Sequence, residues 1–223
     1  SMESEPGGAL ERQLNAVRGI GELLASSIGL ESLFNRIMPQ VSVLMGAELS
    51  TLYLYDESTN EIWSQALEGD VHKEIRLPVG SGIAGWAAEH RTLVNIADAY
   101  EDNRFNPSFD KKSGFQTRAV AATPLKTRDG RLLGVLQVIN NKRGGPFFEE
   151  DIALLETIAS QVCHAIENVT LSQQIIDQNV ELKKARARAE QRSNDLDLLY
   201  QLEQGTAGAT TVDELVETFL NQT

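Results

Sequence analysis

The stretch RAVAATPLKTRDGRLLGVLQVIN, residues 118–140, contains two apolar runs on either side of a short polar turn. The turn is Arg128-Asp129-Gly130, in which glycine tolerates a positive φ angle. Parallel strands need a crossover of a dozen or more residues, so a turn this short connects antiparallel neighbours. The stretch therefore predicts two antiparallel strands.

The residues before this hairpin also alternate with a period of two. LSTLYLYD (49–56), EIWSQAL (61–67), KEIRLP (73–78) and TLVNIAD (92–98) each predict a strand bounded by turn residues. Between the last two, GIAGWAAEH (82–90) predicts a short helix. A polar segment with two adjacent lysines, residues 106–117, predicts a loop before the hairpin.

Helical periodicity flanks the predicted sheet. Residues 9–27 and the segment after Gly29 carry apolar residues at the spacing of amphipathic helices. The same period returns at Glu149 and continues to Glu203, so we expect one long exit helix. Beyond Val180 its apolar stripe thins to alanines among charges, which suits either a two-helix coiled coil or a solvated linker.

An internal repeat sets the expected organisation of the chain. The apolar pattern from Leu14 to Ile37 recurs at the same spacing from Leu196 to Phe219. We therefore expect a dimerising helix at residues 1–27, one α+β domain at 28–170, a coiled-coil linker at 171–203 and the start of a second, truncated copy at 204–223.

Charge and composition exclude several kinds of partner. A formal net charge of -12 argues against nucleic acid and against an anionic membrane face. No apolar run approaches the roughly 20 residues that span a bilayer. The single cysteine, Cys163, rules out a disulfide within the chain and suits a reducing compartment, so we expect a cytoplasmic protein.

The chain shows no pattern of catalytic or metal-binding residues. Its three histidines are far apart and lack HxxH or HExxH spacing, so we expect no metal site. Cys163 lies inside a predicted helix between Val162 and Ile166, which favours a buried structural thiol over an attachment site. We expect a regulatory domain with no catalytic residues of its own.

The segment GSGIAG, residues 80–85, matches the dinucleotide fingerprint GxGxxG. The preceding strand, however, alternates with charges and contains Pro78, unlike a central parallel strand. The segment instead predicts a helix start, with Ser81 as its cap and free backbone amides that suit a phosphate.

Three stretches together resemble the GAF domain family over roughly residues 28–170. They are VGSGIAGWAAEHRTLVNIADAYEDNRFN (79–106), SGFQTRAVAATPL (113–125) and LLGVLQVINNKRGGPFFEEDIALLETIASQ (132–161). The resemblance implies a GAF fold of the α+β class, with a central antiparallel β-sheet, flanking helices and a long C-terminal exit helix. With the repeat, it implies tandem GAF domains. The subgroup that it is similar to occurs in cyclic-nucleotide phosphodiesterases and bacterial adenylyl cyclases and binds cAMP or cGMP.

That subgroup carries an Asn-Lys pair, a Phe and, three residues later, Asp-Glu. The matching residues here are Asn141, Lys142, Phe147 and Asp151, with Ile152 in place of the final Glu. In the family the Lys and the Asp form a salt bridge that braces the pocket, so the resemblance implies this pair here. The doubled asparagine, Asn140-Asn141, leaves the register of the match open by one residue.

The resemblance also implies where the nucleotide would lie. Thr51, or its neighbour Ser50, would face the purine, and Glu68 would read the base edge. The backbone amides of Ile83 and Ala84 would meet the cyclic phosphate. The other contacts would come from the lid, residues 99–117, and from the strands beside it: Asn106, Ser113, Thr117, Arg118 and Gln137.

The implied function is sensory. A cyclic nucleotide would order the lid and change how the helices pack in a homodimer formed through the N- and C-terminal helices. A cyclase, phosphodiesterase or kinase elsewhere in the parent chain would respond. A ligand-free dimerising spacer is the alternative, or a domain for another small metabolite; cysteine and histidine placement disfavours haem and bilin. Neither the choice between cAMP and cGMP nor the direction of the dimer follows from the sequence.

Overall fold

The computed structural model describes residues 14–15, 18–19, 21–22, 29, 33–68 and 71–220. Side chains are described for these residues except 33, 66–68, 71–73 and 204–220. The described pieces between residues 14 and 22 are helical. The rest of the predicted helix at residues 1–27 lies outside the described residues.

The elements follow the predicted order. A π-helical turn, Leu33–Ile37, leads into α1 (Met38–Met45), and then come β1 (Ala47–Asp56), β2 (Glu61–Glu68), β3 (Val71–Pro78), α2 (Gly82–His90) and β4 (Val94–Ile96). A 3-10 turn (Ala99–Glu101) and α3 (Ser108–Ser113) precede β5 (Val120–Lys126), β6 (Leu132–Asn141) and α4 (Glu149–Leu220).

The six strands form one sheet in the order β3-β2-β1-β6-β5-β4, and every neighbouring pair is antiparallel. The β1 and β6 backbones approach closely at Gly134, where an added Cβ would lie 2.0 Å from the Tyr53 carbonyl oxygen. Only glycine fits there. The predicted α+β class, antiparallel sheet and long exit helix are confirmed.

The period of two along β1 and β6 sends successive side chains to opposite faces of the sheet. On one face Leu52 and Leu136 pack with residues of α1 and α4, such as Ile158. On the other face Tyr53 and Val135 pack with α2. The candidate site lies on the second face, which we call the α2 face.

The β2–β3 hairpin diverges from β1. In the described register β1 pairs with β2 through Leu54, Tyr55 and Asp56, whereas β2 and β3 pair over residues 61–68 and 71–78. On its other side β1 pairs with β6 from Ala47 to Leu54. The sheet therefore opens next to the first half of β1, on the side away from β6.

Two predicted boundaries differ from the structure. The predicted loop at 106–117 contains α3, because Asn106 Oδ1 accepts from Ser108 N–H (3.0 Å) and Gly114 ends the helix in the left-handed region. Proline at a helix start and glycine just past its end are helix boundaries as well as loop signals. The exit helix extends past Glu203 to Leu220.

The chain divides into two compact units, residues 1–170 and 171–223. In the second unit every described side chain, from Leu171 to Glu203, is exposed. None of the described helices combines the length and the apolar character needed to cross a membrane.

Candidate functional site

The floor of the candidate site is a polar pair on the α2 face. Thr51 of β1 lies directly opposite Gln137 of β6 in the sheet register. Gln137 is 8% exposed, and its amide makes no hydrogen bond to the described part of the chain, although it retains some contact with solvent. The β5 neighbour of Gln137 is Ala122, whose side chain offers the amide no hydrogen-bond partner. The amide therefore keeps hydrogen-bonding capacity beside Thr51.

The structure separates the two residues that the sequence left as alternatives on β1. Ser50 faces the α1 side, where its hydroxyl donates to the Met38 carbonyl (2.6 Å) and lies 2.7 Å from Ser42 Oγ. Thr51 faces the opposite side, beside Gln137. Of the two, Thr51 shares a face with the start of α2.

The first turn of α2 closes one end of this face. Ile83 and Ala84 are 6% and 3% exposed and pack with Tyr53 and Val120. An added Cβ on Gly85 would lie 2.8 Å from the Pro78 carbonyl oxygen, so glycine allows β3 to end against this turn. The backbone amides of a first turn have no partners within the helix, and they attract anions.

The predicted start of this helix is confirmed, but its predicted side-chain cap does not form. Ser81 occupies the N-cap position, but its side chain makes no capping hydrogen bond. Its backbone has the extended geometry usual for an N-cap residue, and the residue is exposed. The first-turn amides are therefore not satisfied by the side chain of Ser81.

Two predicted ligand contacts instead hold the lid helix α3 together. Asn106 Oδ1 caps its start through Ser108 N–H, as described above. At its end the Ser113 hydroxyl donates to the Phe109 carbonyl (2.8 Å) and accepts from Phe115 N–H (3.2 Å). Asn106 and Ser113 are both exposed. Their hydrogen bonds shape the lid. The structure does not place either residue beside Thr51 and Gln137.

Thr117 donates hydrogen bonds to a carboxylate that was not predicted from the sequence. Its N–H and its hydroxyl both donate to Asp110, at 2.7 and 2.8 Å. Tyr100 Oη also donates to Asp110 (3.0 Å), and this hydrogen bond raises the pKa of the tyrosine. Asp110 is 5% exposed. In the sequence its only signal is a carboxylate in the segment between Pro107 and Gly114.

Arg118 forms hydrogen bonds beside the start of β1. Its guanidinium donates to Glu48, and its backbone N–H donates to Asn140 Oδ1 (2.6 Å). Asn140 Nδ2 completes the cluster by donating to Glu48 Oε2 (2.8 Å) and to the Gln116 carbonyl (2.8 Å). The Asn140 hydrogen bond, followed by that of Arg118, lowers the pKa of Glu48. Arg118 therefore anchors the end of the lid, where its charge is already paired.

Glu68 is the last residue of β2, and its side chain is outside the described part of the chain. Its predicted contact with the base edge stays a prediction.

The salt bridge implied by the family resemblance forms at Asp151, but with a cation next to Lys142 in the chain. Among the described residues, the partner of Asp151 is Arg143, whose Nη2 donates to both carboxylate oxygens at 2.7 Å, rather than Lys142. Asn141 Oδ1 accepts from Arg143 N–H (3.0 Å), which places the cation. Phe147 is 2% exposed, and its carbonyl accepts from Asn95 Nδ2 (2.9 Å). The cation that pairs with Asp151 thus lies one residue later in the chain than the resemblance implied.

Apolar side chains share the α2 face with the polar pair. Phe105 and Phe115 from the lid are partly buried against Ile83, Val120 and the rest of this cluster. Part of the space that the sequence analysis assigned to a ligand is thus lined by the protein's own aromatic rings.

A separate groove of about 400 Å³ lies on the other side of the sheet, between α4 and β5. Thr123, Lys126, Glu156 and Cys163 are among its lining residues. Burial raises the pKa of the Cys163 thiol to about 11. None of the predicted ligand contacts lines this groove.

Comparison with known proteins identifies the domain. A sequence profile described as "GAF domain" matches residues 29–166. The dual 3',5'-cyclic-AMP and -GMP phosphodiesterase 11A of Takifugu rubripes is 33% identical over 139 residues, which are 57% of this chain and 15% of that protein. The cGMP-specific 3',5'-cyclic phosphodiesterase of Drosophila erecta is 27% identical over 195 residues, 77% of this chain and 17% of that protein. The chain thus spans less than a fifth of these curated relatives.

Solved structures show the same fold at lower identity. The GAF domain of an Acinetobacter phosphoenolpyruvate-protein phosphotransferase superposes with a TM-score of 0.62 at 22% identity, over 73% of this chain and 98% of that one. A free methionine-R-sulfoxide reductase from Neisseria meningitidis gives 0.60 at 20% identity, over 77% and 97%. These likenesses bear on the fold alone.

Proposed function

Because this chain belongs to the GAF domain family, we propose that it is a sensory domain that binds a cyclic nucleotide, cAMP or cGMP. The bound state passes through a dimeric helix to an effector elsewhere in the parent protein. The similarity to phosphodiesterases named for these nucleotides supports the choice of ligand. In this proposal catalysis belongs to the effector.

The observation that carries the proposal is the Gln137 amide on an otherwise apolar face. It is nine-tenths buried, has no hydrogen bond to the described chain and lies opposite Thr51. An amide and a hydroxyl side by side can both donate to and accept from a ribose or a purine. Sites for small ligands commonly combine a mostly apolar lining with a few such polar groups.

The phosphate would lie at the first turn of α2. The N–H groups of Ile83 and Ala84 lie in the first turn of a nine-residue helix whose cap residue makes no side-chain hydrogen bond. Free amides and the helix dipole together stabilise an anion there. A local anion site of this kind is compatible with the net charge of -12 over the whole chain.

The lid, residues 99–117, would close over the ligand with α3 as its rigid part. Asp110 fixes α3 to Thr117 at the entry to β5. Asn106 and Ser113 contribute to ligand binding by shaping this helix. Two lysines of α3, Lys111 and Lys112, are exposed and bring positive charge to the lid.

Calorimetry with cAMP and cGMP tests the proposal. We expect saturable heat with at least one nucleotide, and Gln137→Met should weaken binding about fivefold through the loss of a hydrogen bond worth about 1 kcal/mol. Thr51→Val should also weaken it. Thr123→Val is the control for Thr51→Val, because it makes the same chemical change at a buried threonine that lines the opposite groove. Unchanged affinity in both floor variants would overturn the assigned site.

A ligand-free spacer is the second candidate function. It is favoured by Phe105 and Phe115, whose rings pack against Ile83 and close part of the α2 face without any ligand. In that case neither nucleotide gives heat at protein concentrations far above micromolar, and the chain still dimerises through its helices. This result would contradict the sensor and support the spacer.

A further inference from the structure

A tyrosine on the α2 face carries a hydroxyl without a hydrogen-bond partner. Tyr53 of β1 is 8% exposed and packs in the same apolar cluster as Ile83 and Val135. Its hydroxyl makes no hydrogen bond to the described part of the chain. Every fully enclosed side-chain oxygen or nitrogen among the described residues has a partner, so the phenol oxygen must border space that solvent can enter. A ligand on this face can enter the same space.

Two other tyrosines of the first compact unit show the usual arrangement. Tyr55 Oη donates to Asn60 Oδ1 at 3.1 Å. Tyr100 Oη donates to the carboxylate of Asp110 at 3.0 Å. Because a largely buried hydroxyl normally has such a partner, Tyr53 is the exception among the three.

The position of Tyr53 places it between the two parts of the candidate site. Thr51 and Tyr53 point to the same face of β1, about 7 Å apart along the strand. The last residue of β1 pairs with the first residue of β2, which pairs with the last residue of β3. Helix α2 begins four residues after β3 ends. The step from Thr51 to Tyr53 therefore leads from the floor pair towards the end of the sheet where α2 starts.

The strand next to Tyr53 leaves its hydroxyl available. Its neighbour on β6 is Val135, which has no polar side-chain atom. Burial raises the pKa of Tyr53 to about 12, so the phenol keeps its proton at neutral pH. A protonated phenol can donate to an anionic oxygen without bringing a charge of its own, and hydrogen bonds to charged acceptors are the stronger ones.

We propose that the Tyr53 hydroxyl is a third polar group of the binding face and donates to an oxygen of the ribose phosphate of the bound nucleotide. This inference rests on the proposed function. It adds a contact that lies outside the set implied by the family resemblance. A nucleotide that reaches from Thr51 and Gln137 to the first turn of α2 passes over this hydroxyl.

A purely structural phenol is the competing explanation. The rings of Phe105 and Phe115 are partly buried against the same cluster, and Tyr53 would then only fill space beside them. In that case its hydroxyl contacts water and no ligand. Removing the hydroxyl would then leave nucleotide affinity as it is.

Tyr53→Phe tests the proposal, because it keeps the ring and removes only the hydroxyl. We expect affinity for the nucleotide to fall about fivefold in calorimetry, through the loss of one hydrogen bond. Urea unfolding of the ligand-free variant should show a stability equal to or slightly above that of the unchanged chain. The reason is that no hydrogen bond within the protein is lost.

Tyr55→Phe is the matched control, since it makes the same change two residues away on the same face. It removes the hydrogen bond to Asn60, so we expect lower stability and unchanged nucleotide affinity. The two variants thus predict opposite patterns. A stability loss in Tyr53→Phe as large as that in Tyr55→Phe would show that the hydroxyl has a partner within the protein, and would overturn the proposal.

The calorimetry separates this inference from the proposed function. If the unchanged chain binds a nucleotide and Gln137→Met weakens binding, unchanged affinity in Tyr53→Phe overturns the Tyr53 contact alone. If the unchanged chain gives no heat with cAMP or cGMP, the proposed function fails and the contact fails with it.

NMR of protein labelled with ¹³C at the tyrosine ring Cζ gives a second readout. The Tyr53 signal is identified by its absence from the spectrum of Tyr53→Phe. We expect it to shift and saturate with the nucleotide, because Cζ carries the hydroxyl that gains an acceptor. The Tyr200 signal, from the second compact unit, is the reference for effects of added nucleotide on exposed rings. A Tyr53 signal that moves no more than that of Tyr200 at saturation would overturn the contact.

Discussion

At the scale of single residues, Asp110 has the largest structural effect on the candidate site. Its buried carboxylate accepts three hydrogen bonds, two from Thr117 and one from Tyr100. These donors come from the start of the lid and from its end, so one side chain closes the lid segment on itself. Thr117, predicted to touch the ligand, uses both its N–H and its hydroxyl for this carboxylate.

We expect Asp110→Asn to destabilise the fold by about 1–3 kcal/mol, because a neutral amide replaces the charged carboxylate that accepts three hydrogen bonds, and hydrogen bonds to a charged group are the stronger ones. Urea unfolding measures this loss, and hydrogen exchange at the Thr117 amide should become faster. Asp197→Asn, at an exposed position on α4, is the control. Equal unfolding free energies for the two variants would contradict the role of Asp110.

Glu48 makes the fold sensitive to acid. Hydrogen bonds from Asn140 and Arg118 lower its pKa below the ordinary value of 4.5. A carboxylate with a lowered pKa stabilises the folded state above its unfolded pKa, and this stability is lost as the pH falls through the folded value.

Between pH 7 and pH 3, we therefore expect Glu48→Gln to show a shallower loss of stability below about pH 4.5 than the unchanged chain. Urea unfolding at several pH values gives the two curves. Glu57→Gln, in the exposed turn after β1, should leave the slope as it is. Parallel curves for Glu48→Gln and the unchanged chain would show that this cluster does not contribute to the loss of stability in acid.

At the scale of elements, the brace between β6 and α4 shows how a family pattern can shift by one residue. Asp151 lies in the first turn of α4, where its Oδ2 also accepts from Phe148 N–H (2.8 Å). Arg143 reaches it because Asn141 holds the Arg143 backbone in the turn after β6. The planar guanidinium then matches the carboxylate with two hydrogen bonds from one nitrogen.

We expect Arg143→Met to cost about 0.2–1 kcal/mol, a small loss because the guanidinium is largely exposed. Lys142→Met should change stability by less than this. Thermal unfolding of the two variants under the same buffer conditions compares them directly. A larger loss for Lys142→Met would restore the pairing that the family pattern implied.

The strands were predictable because alternation and turn chemistry are local. The hairpin at 118–140 and the run at 49–56 each match a strand to within two residues. The lid helix α3 was not predictable in the same way, because Pro107 and Gly114 bound a loop and a short helix equally well. Its hydrogen bond from Thr117 to Asp110 joins residues outside and inside the helix.

At the scale of the whole molecule, the candidate site depends on contacts between distant segments. The family resemblance named Gln137 and left Thr51 and Ser50 as alternatives, and the sheet register together with the α1 packing places Thr51 beside Gln137. Pairing of Arg118 with Glu48 joins residues 70 positions apart, and no local pattern signals it. The predicted ligand contacts therefore separate into a floor pair, a helix start and residues that shape the lid.

The most direct measurement is a nucleotide titration followed by NMR on ¹⁵N-labelled protein. If a cyclic nucleotide occupies the α2 face, the Gln137 side-chain amide and the Ile83 and Ala84 backbone amides shift together and saturate with cAMP, cGMP or both. If these three signals stay in place up to millimolar nucleotide, or if only residues of the opposite groove shift, the proposed site is wrong.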